Sequence, residues 1–246
     1  MRTIITIIFV VIYCIVSLPV FLIMLLIGLF SKKKRALVSQ HIVSWGFRVV
    51  TALSGARVHA SGLENVPKDG SVIYVCNHRG IFDVIIGYSM AKYPAMFIAK
   101  KETKKLPVIS IWMKFINCLF MDRDDIRASL KVIMTAADLA KDGTSVFIFP
   151  EGTRTKDGSL GEFKEGSFKI AQRSGRPVIP VAIYNTESIF EKQLPWLKKC
   201  DVCFSFGKPF YLADLTGDDK KHPGLYTKGI IQEMLDKEML ETAAEK

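Results

Sequence analysis

Ser71-Val72-Ile73-Tyr74-Val75-Cys76-Asn77-His78-Arg79-Gly80-Ile81-Phe82-Asp83 begins as an apolar, β-branched run and ends in turn residues. The run predicts a strand over Ser71–Cys76, and the polar, glycine-containing break predicts a tight exit into a helix opening near Asp83. A histidine thus stands at a strand end with a carboxylate five positions later, across a turn that can fold one back on the other.

The same alternation continues outward. Further strands are predicted at Arg57–Ala60, Met96–Ala99, Leu119–Asp122, Ser145–Phe149, Val178–Tyr184 and Val202–Phe206. Helices are predicted at Asp83–Ala91, Val108–Ile116, Arg127–Lys141, Gly166–Ser174 and Tyr226–Glu245. Short strands alternating with amphipathic stretches imply an α/β fold, a single domain whose mixed, largely parallel sheet is covered by helices. In such sheets the reacting groups gather at the carboxyl ends of strands.

Upstream, Ile4 to Phe30 is apolar almost throughout, and Lys32, Lys33, Lys34 and Arg35 follow at once. That length reaches across a hydrocarbon core, and no small-x-small cleavage site precedes the basic flank. Cations concentrated after the segment predict the following chain on the cytoplasmic side of the cell membrane. Pro19 is a point where this helix could break. A second segment, Leu37–Leu53, reads as a helix with a broad apolar face and a thin polar one carrying Ser39, Gln40, Ser44 and Arg48. Two readings stand for it: a partner of the first helix dipping into the cytoplasmic leaflet, or a core-packing helix. Residues 1–55 are therefore expected to form a two-helix membrane motif, and residues 56–246 the α/β domain.

The chain has 246 residues and a formal charge of +10, which narrows its partners to nucleic acid, an anionic membrane surface or small anionic substrates. No finger, basic zipper or single-strand-binding signature is present, so nucleic acid is not expected. The five cysteines are an odd number in apolar surroundings, which favours a reducing compartment. Cys200 and Cys203 form a C-x-x-C without a second Cys/His pair at zinc spacing, so no metal is expected.

Chemistry begins at His78 and Asp83. A carboxylate on one imidazole nitrogen fixes the tautomer and frees the other to take a proton; such base assistance is worth about 10²–10⁴ in rate. The bland alternative makes Asp83 a helix cap and His78 an ordinary loop residue. No G-x-S-x-G elbow or recognisable reactive cysteine accompanies the pair, so a base of this kind would act directly on a substrate hydroxyl. Around Gly80, backbone N–H groups are candidates for stabilising an oxyanion, with a cation as the other option.

Two further strand exits carry cations. Phe149-Pro150-Glu151-Gly152-Thr153-Arg154 offers a tight turn at Gly152, a brace at Glu151 and a guanidinium fork at Arg154. Phe120-Met121-Asp122-Arg123 ends in a second arginine, and Lys100 and Lys101 follow the strand near Met96. Taken singly each is an ordinary surface charge; together they could converge on one phosphate. Lys164 ranks below Arg154 for that role.

Asn77-His78-x-x-x-x-Asp83, Phe120–Arg123, Phe149–Arg154 and Val178-Ile179-Pro180-Val181 resemble, in order, the four blocks of the glycerolipid acyltransferases, and most closely those of the bacterial 1-acyl-glycerol-3-phosphate acyltransferases. The likeness covers residues 60–210. It implies transfer of a fatty acyl group from an acyl thioester, on acyl carrier protein or coenzyme A, to the free sn-2 hydroxyl of lysophosphatidate, giving phosphatidate. By the same resemblance His78 is the base and Asp83 its partner. Arg123, Glu151, Gly152, Thr153 and Arg154 handle the phosphate end, with Lys100 or Lys101 in support, and no cofactor is required. Glycerol 3-phosphate or another lysophospholipid is the alternative acceptor. A non-catalytic adaptor for anionic lipid is the alternative outside enzymes. The sequence departs from the family pattern at Asn117, where glycine is common, and at Met121, where isoleucine is common.

Overall fold

The computed structural model describes residues 1–91, 94–155 and 159–244. In chain order the elements are α1 (Arg2–Phe30), α2 (Lys32–Ser54), β1 (Arg57–Ser61), β2 (Ile73–Cys76), α3 (Ile81–Met90), β3 (Ala95–Lys100), α4 (Pro107–Phe115), β4 (Leu119–Met121), α5 (Ile126–Lys141), β5 (Ser145–Ile148), α6 (Lys169–Ser174), β6 (Val178–Tyr184), β7 (Asp201–Phe206), α7 (Gly217–Lys221) and α8 (Pro223–Ala244). All seven predicted strands are present, most with ends moved by a residue or two. The predicted helix at Gly166–Ser174 divides into a 3₁₀ turn, Glu165–Phe168, and α6. Glu245, the predicted end of the last helix, lies outside the described residues.

The strands make one sheet in the order β1-β7-β6-β2-β5-β3-β4. All neighbours are parallel except β6 and β7. Period-two alternation sorts the central strands onto two cores. Tyr74, Phe147, Ile179, Val181 and Ile183 join Phe82, Ile86, Trp112 and Phe115 on one face. Ile73, Val75, Val146, Ile148, Val178 and Ala182 meet Ile133, Ala136, Ile170 and Ile231 on the other. Burial of both faces explains why these strands read as continuous apolar runs.

Asn117 accounts for one departure from the family pattern. Its φ is +60°, the left-handed region that glycine enters freely and asparagine tolerates better than most residues.

The N-terminal helices lie against the domain. α1 runs unbroken through Pro19. One stripe of it, Thr3, Thr6, Ser17, Phe21 and Met24, is buried, while Ile4, Ile8, Ile15, Leu22 and Leu29 face outward. Trp112 of α4 donates its indole N–H to Ser17 Oγ at 2.9 Å. In α2 three members of the polar stripe turn inward: Ser39, Gln40 and Ser44 are buried, while Arg48 is exposed, as are Val38 and Trp45. Gln40 Nε2 donates to the Ala95 carbonyl at 2.6 Å and Ser44 Oγ to that of Tyr88 at 3.4 Å. Small polar side chains let α2 approach closely and satisfy carbonyls at element ends. Of the two readings for this helix, packing on the core describes its polar stripe.

At the sheet edge, Arg57 and His59 of β1 both bond Asp201 of β7, and the Arg57 hydrogen bond holds the Asp201 carboxyl down to about 2. A depressed carboxyl stabilises the fold above its unfolded value and stops doing so as pH falls through the folded one. Because the cluster is exposed, its contribution is small. Asp201→Asn is expected to narrow the stability gap to wild type as pH falls from about 4 towards 2, checked by denaturant titration at both ends of that window.

Candidate active site

Strand order assembles the site. β2 lies between β6 and β5, with Val75 opposite both Pro180 and Ile148. The loops leaving β6, β2 and β5 therefore emerge side by side, the position where α/β sheets bind ligands. Asn77 locks the first of them: its amide donates to the Ile183 carbonyl at 2.9 Å and accepts from the Ile183 N–H at 2.7 Å.

His78 and Asp83 meet. Nδ1 of His78 lies 2.7 Å from Asp83 Oδ2, and the Asp83 side chain is wholly buried. The same oxygen accepts from the backbone N–H groups of Arg79 at 2.6 Å and Gly80 at 2.8 Å. Asp83 Oδ1 accepts from the Thr186 hydroxyl on the β6 side. An oxygen that takes two N–H groups is an acceptor, so Nδ1 carries the proton and Nε2 presents its lone pair. Helix capping and imidazole orientation turn out to be one arrangement. Gly80 is the N-cap of α3, and Asp83, a turn inside, reaches back to the Gly80 N–H. The predicted helix start at Asp83 is late for this reason.

Behind the imidazole stands Phe149, its ring 4.2 Å away and nearly parallel. Phe97, Phe147 and Tyr74 continue the aromatic packing into the core. The His78 side chain is only 14% exposed, so packing as well as hydrogen bonding sets its orientation.

The turn after β5 closes around the same loop. Gly152 has φ +71°, which confirms the tight turn expected there. Glu151 is buried, and its carboxylate accepts from the His78 N–H at 2.7 Å and the Gly161 N–H at 2.8 Å. Burial raises its pKa, opposed by those N–H groups and by the nearby His78 and Arg79. With both oxygens occupied, Glu151 braces the His78 loop and does not face a phosphate as a donor; a carboxylate has no proton to offer one. Thr155 donates its backbone N–H to the His78 carbonyl at 3.2 Å, tying the two loops again. Thr153 and Arg154 are exposed at the turn.

The cations divide. Arg123 is half-buried, donates to the Gly152 carbonyl, and so joins the β4 exit to the β5 turn. Arg154 pairs with Glu191 at 3.2 Å, and Glu191 also accepts from the Ile81 N–H at 2.7 Å, at the mouth of α3. Lys101 is bound by Asp122 at 2.8 Å and Lys100 pairs with Glu102 at 3.7 Å. Each of the two thus has a carboxylate neighbour, as Arg154 does. Lys164 lies against the Gly152 turn, where a β-carbon added to Gly152 would sit 3.1 Å from its Nζ.

The oxyanion expectation around Gly80 is corrected. The N–H groups of Arg79 and Gly80 serve Asp83, and that of Ile81 serves Glu191. The apolar stretches of α3 and α4 place Ile86, Tyr88, Trp112 and Phe115 in the core. An open cleft of about 670 Å³ lies beside the amino end of β6, lined by Phe168, Lys169, Arg176, Tyr211 and Lys220 among others, and His78 does not border it.

Sequence reasoning missed Thr186, Glu191 and Phe149 as parts of the site. Phe149 was within a quoted motif, but its neighbour across the sheet was not legible. Thr186 and Glu191 arrive from a hundred residues downstream with no spacing signal.

Comparison with known proteins agrees with this architecture. A family model described as Acyltransferase matches residues 57–184. A Borreliella burgdorferi protein named 1-acyl-sn-glycerol-3-phosphate acyltransferase is 33% identical over 142 residues, 58% of this chain and 57% of that one. A Mycoplasma pneumoniae protein named "Probable 1-acyl-sn-glycerol-3-phosphate acyltransferase" is 31% identical over 189 residues, covering 72% of this chain and 70% of its own. The match spans about half the length of the first curated relatives. The crystal structure of the 1-acyl-sn-glycerophosphate (LPA) acyltransferase PlsC from Thermotoga maritima superposes with a TM-score of 0.71 at 23% identity, covering 96% of this chain and 98% of that one, a likeness of fold. From the family match and the ordered strand-exit motifs together, the chain belongs to the acyltransferase family.

Proposed function

We propose that this protein transfers a fatty acyl group from an acyl thioester to the free sn-2 hydroxyl of 1-acyl-glycerol 3-phosphate. The observation that carries the reading is the 2.7 Å contact between His78 Nδ1 and the buried Asp83, which leaves Nε2 as a base. The names of the relatives support the acceptor.

In this reading Nε2 of His78 takes the proton of the acceptor hydroxyl as its oxygen attacks the thioester carbonyl. The carbon–sulfur bond breaks, and the leaving thiolate recovers the proton from His78. Asp83 stabilises the imidazolium formed in between. Arg154 and Arg123 hold the acceptor phosphate, since a guanidinium has more donors than the one Gly152 uses. Glu151, Gly152 and Thr153 shape the turn that carries Arg154. Fixing the phosphate sets the hydroxyl within reach of Nε2, which turns an encounter into a near-attack geometry. Acyl carrier protein and coenzyme A both suit a basic chain as donors, and lysophosphatidate assays with each thioester, beside glycerol 3-phosphate and other lysophospholipids, separate the possibilities.

The acceptor is a lipid and the donor carries a fatty acyl chain, which gives α1 a purpose. Its outward face is aliphatic along almost the whole helix, while its inward stripe, from Thr3 to Met24, is buried against α2, Trp112 of α4 and the Leu197 segment. A helix docked along its length cannot cross a bilayer without drawing the domain's flank into hydrocarbon. We read it as lying in one leaflet, and the cations at Lys32 to Arg35 support the leaflet on the cytoplasmic face of the cell membrane. Residues 1–55 are then the membrane element and residues 56–246 the catalytic unit.

Arg154→Ala is expected to raise the KM for lysophosphatidate about tenfold while leaving the thioester KM and the melting temperature near wild type. Arg154 is 47% exposed and pairs with one carboxylate among the described residues, so its loss costs little stability. Acceptor kinetics unchanged in that variant would remove Arg154 from phosphate recognition.

A further inference from the structure

The segment between β6 and β7 carries apolar side chains that the fold leaves uncovered. Leu194 is 63% exposed and Trp196 58% exposed, with Pro195 between them, also exposed. Lys198 and Lys199 follow and are exposed as well. An apolar tip backed by cations matches the chemistry of a bilayer margin: leucine and indole enter the outer hydrocarbon, and ammonium groups meet anionic headgroups.

Two anchors fix where the tip sits. The Leu197 N–H donates to Thr3 Oγ1 at 2.8 Å, which ties the tip to the first turn of α1, where Ile4, Ile5 and Ile8 face outward. At the other end, Glu191 holds the Ile81 N–H and Arg154. The tip therefore bridges the outward face of α1 and the mouth of the candidate site. Isolated surface hydrophobes need no explanation, but these extend an apolar face that already exists.

We propose that Leu194, Pro195 and Trp196 form a wedge that enters the same anionic bilayer as α1 and seats the site mouth on the membrane surface. This rests on the reading of α1 as lying in a leaflet and of the acceptor as a lipid. The wedge adds a second point of contact at the end of the molecule where His78 lies, so α1 alone does not set the tilt of the site.

The full chain, reconstituted into phosphatidylcholine–phosphatidylglycerol liposomes with or without brominated acyl chains, tests it. Subtracting the emission of Trp196→Phe from that of wild type isolates Trp196 from Trp45 and Trp112. The Trp196 component is expected to be quenched about twofold by bromines placed near the headgroup. The double variant Leu194→Ser, Trp196→Ser is expected to lose about tenfold of the rate on liposome-embedded acceptor. With a short-chain acceptor dispersed as monomers its rate should be unchanged. Quenching of the emission that remains in Trp196→Phe, without quenching of the Trp196 component, would overturn the wedge and leave the N-terminal helices in the membrane. If the protein is not retained by liposomes, the wedge and the membrane reading fall together. Equal losses on both acceptors would also overturn it, by making the segment a support of the site instead of a lipid contact.

Discussion

His78→Ala is expected to lower kcat for acyl transfer by about 10²–10⁴ with the fold and liposome binding retained. The size follows from removing the proton acceptor while leaving the acceptor-phosphate contacts in place. Retention of the fold follows from the partners that remain. Asp83 loses its bond to Nδ1 yet keeps the Arg79 and Gly80 N–H groups and the Thr186 hydroxyl, so no buried carboxylate is orphaned. The Phe149 ring loses a stacking neighbour at the partly exposed end of the aromatic row, a modest packing loss. Steady-state kinetics beside a thermal melt check both halves. Turnover close to wild type would end the catalytic role of His78.

Asp83 separates structure from chemistry through two substitutions. Asp83→Ala strips acceptors from two backbone N–H groups, a hydroxyl and the imidazole in a fully buried position. Unsatisfied buried donors cost about 1–3 kcal/mol each and do not add fully, so a loss of roughly 3 kcal/mol is expected, with activity abolished. Asp83→Asn keeps the shape. Its carbonyl oxygen can serve the three N–H donors while its amide donates to Thr186 Oγ1, and stability should fall by no more than about 1 kcal/mol. What it lacks is the negative charge beside the imidazolium, and kcat should fall by about 10² or more. Denaturant titration and kcat measured on both variants check the split. If Asp83→Asn retained wild-type kcat, the carboxylate would be a capping group and nothing else.

Much of this arrangement was legible because each central strand carries a run of apolar residues that only a doubly covered sheet would bury. The runs at Ser71–Cys76, Ser145–Phe149 and Val178–Tyr184 predict strands, which the structure places together in the sheet, and the polar breaks after the first two predict the loops of the site. Legibility stopped where a contact depends on strand order. Nothing in Phe149-Pro150-Glu151 says that Glu151 will hold the His78 N–H, because that bond exists only when β5 lies beside β2. Arg123 read as a phosphate ligand, whereas its first partner is a carbonyl of the neighbouring turn. Lys100 and Lys101 stand near the arginines' strand exits in the sequence, which does not show that their carboxylate neighbours are Glu102 and Asp122. In α2, the serines and glutamine of the thin polar face are buried, while Arg48 of the same face is exposed. A helical period reports which residues share a face and says nothing about which side that face meets.

The central claim, a histidine base acting directly on a lipid hydroxyl, is tested most directly by one assay. Purified full-length protein in liposomes is given a labelled acyl thioester first and lysophosphatidate second, with protein, thiol and lipid products followed in time. The prediction is that no label becomes attached to the protein, and that phosphatidate and free thiol appear together, in equal amounts, only after the acceptor is added. Label bound covalently to the chain and then chased into product, or a folded, liposome-bound protein that forms no phosphatidate at all, would contradict it.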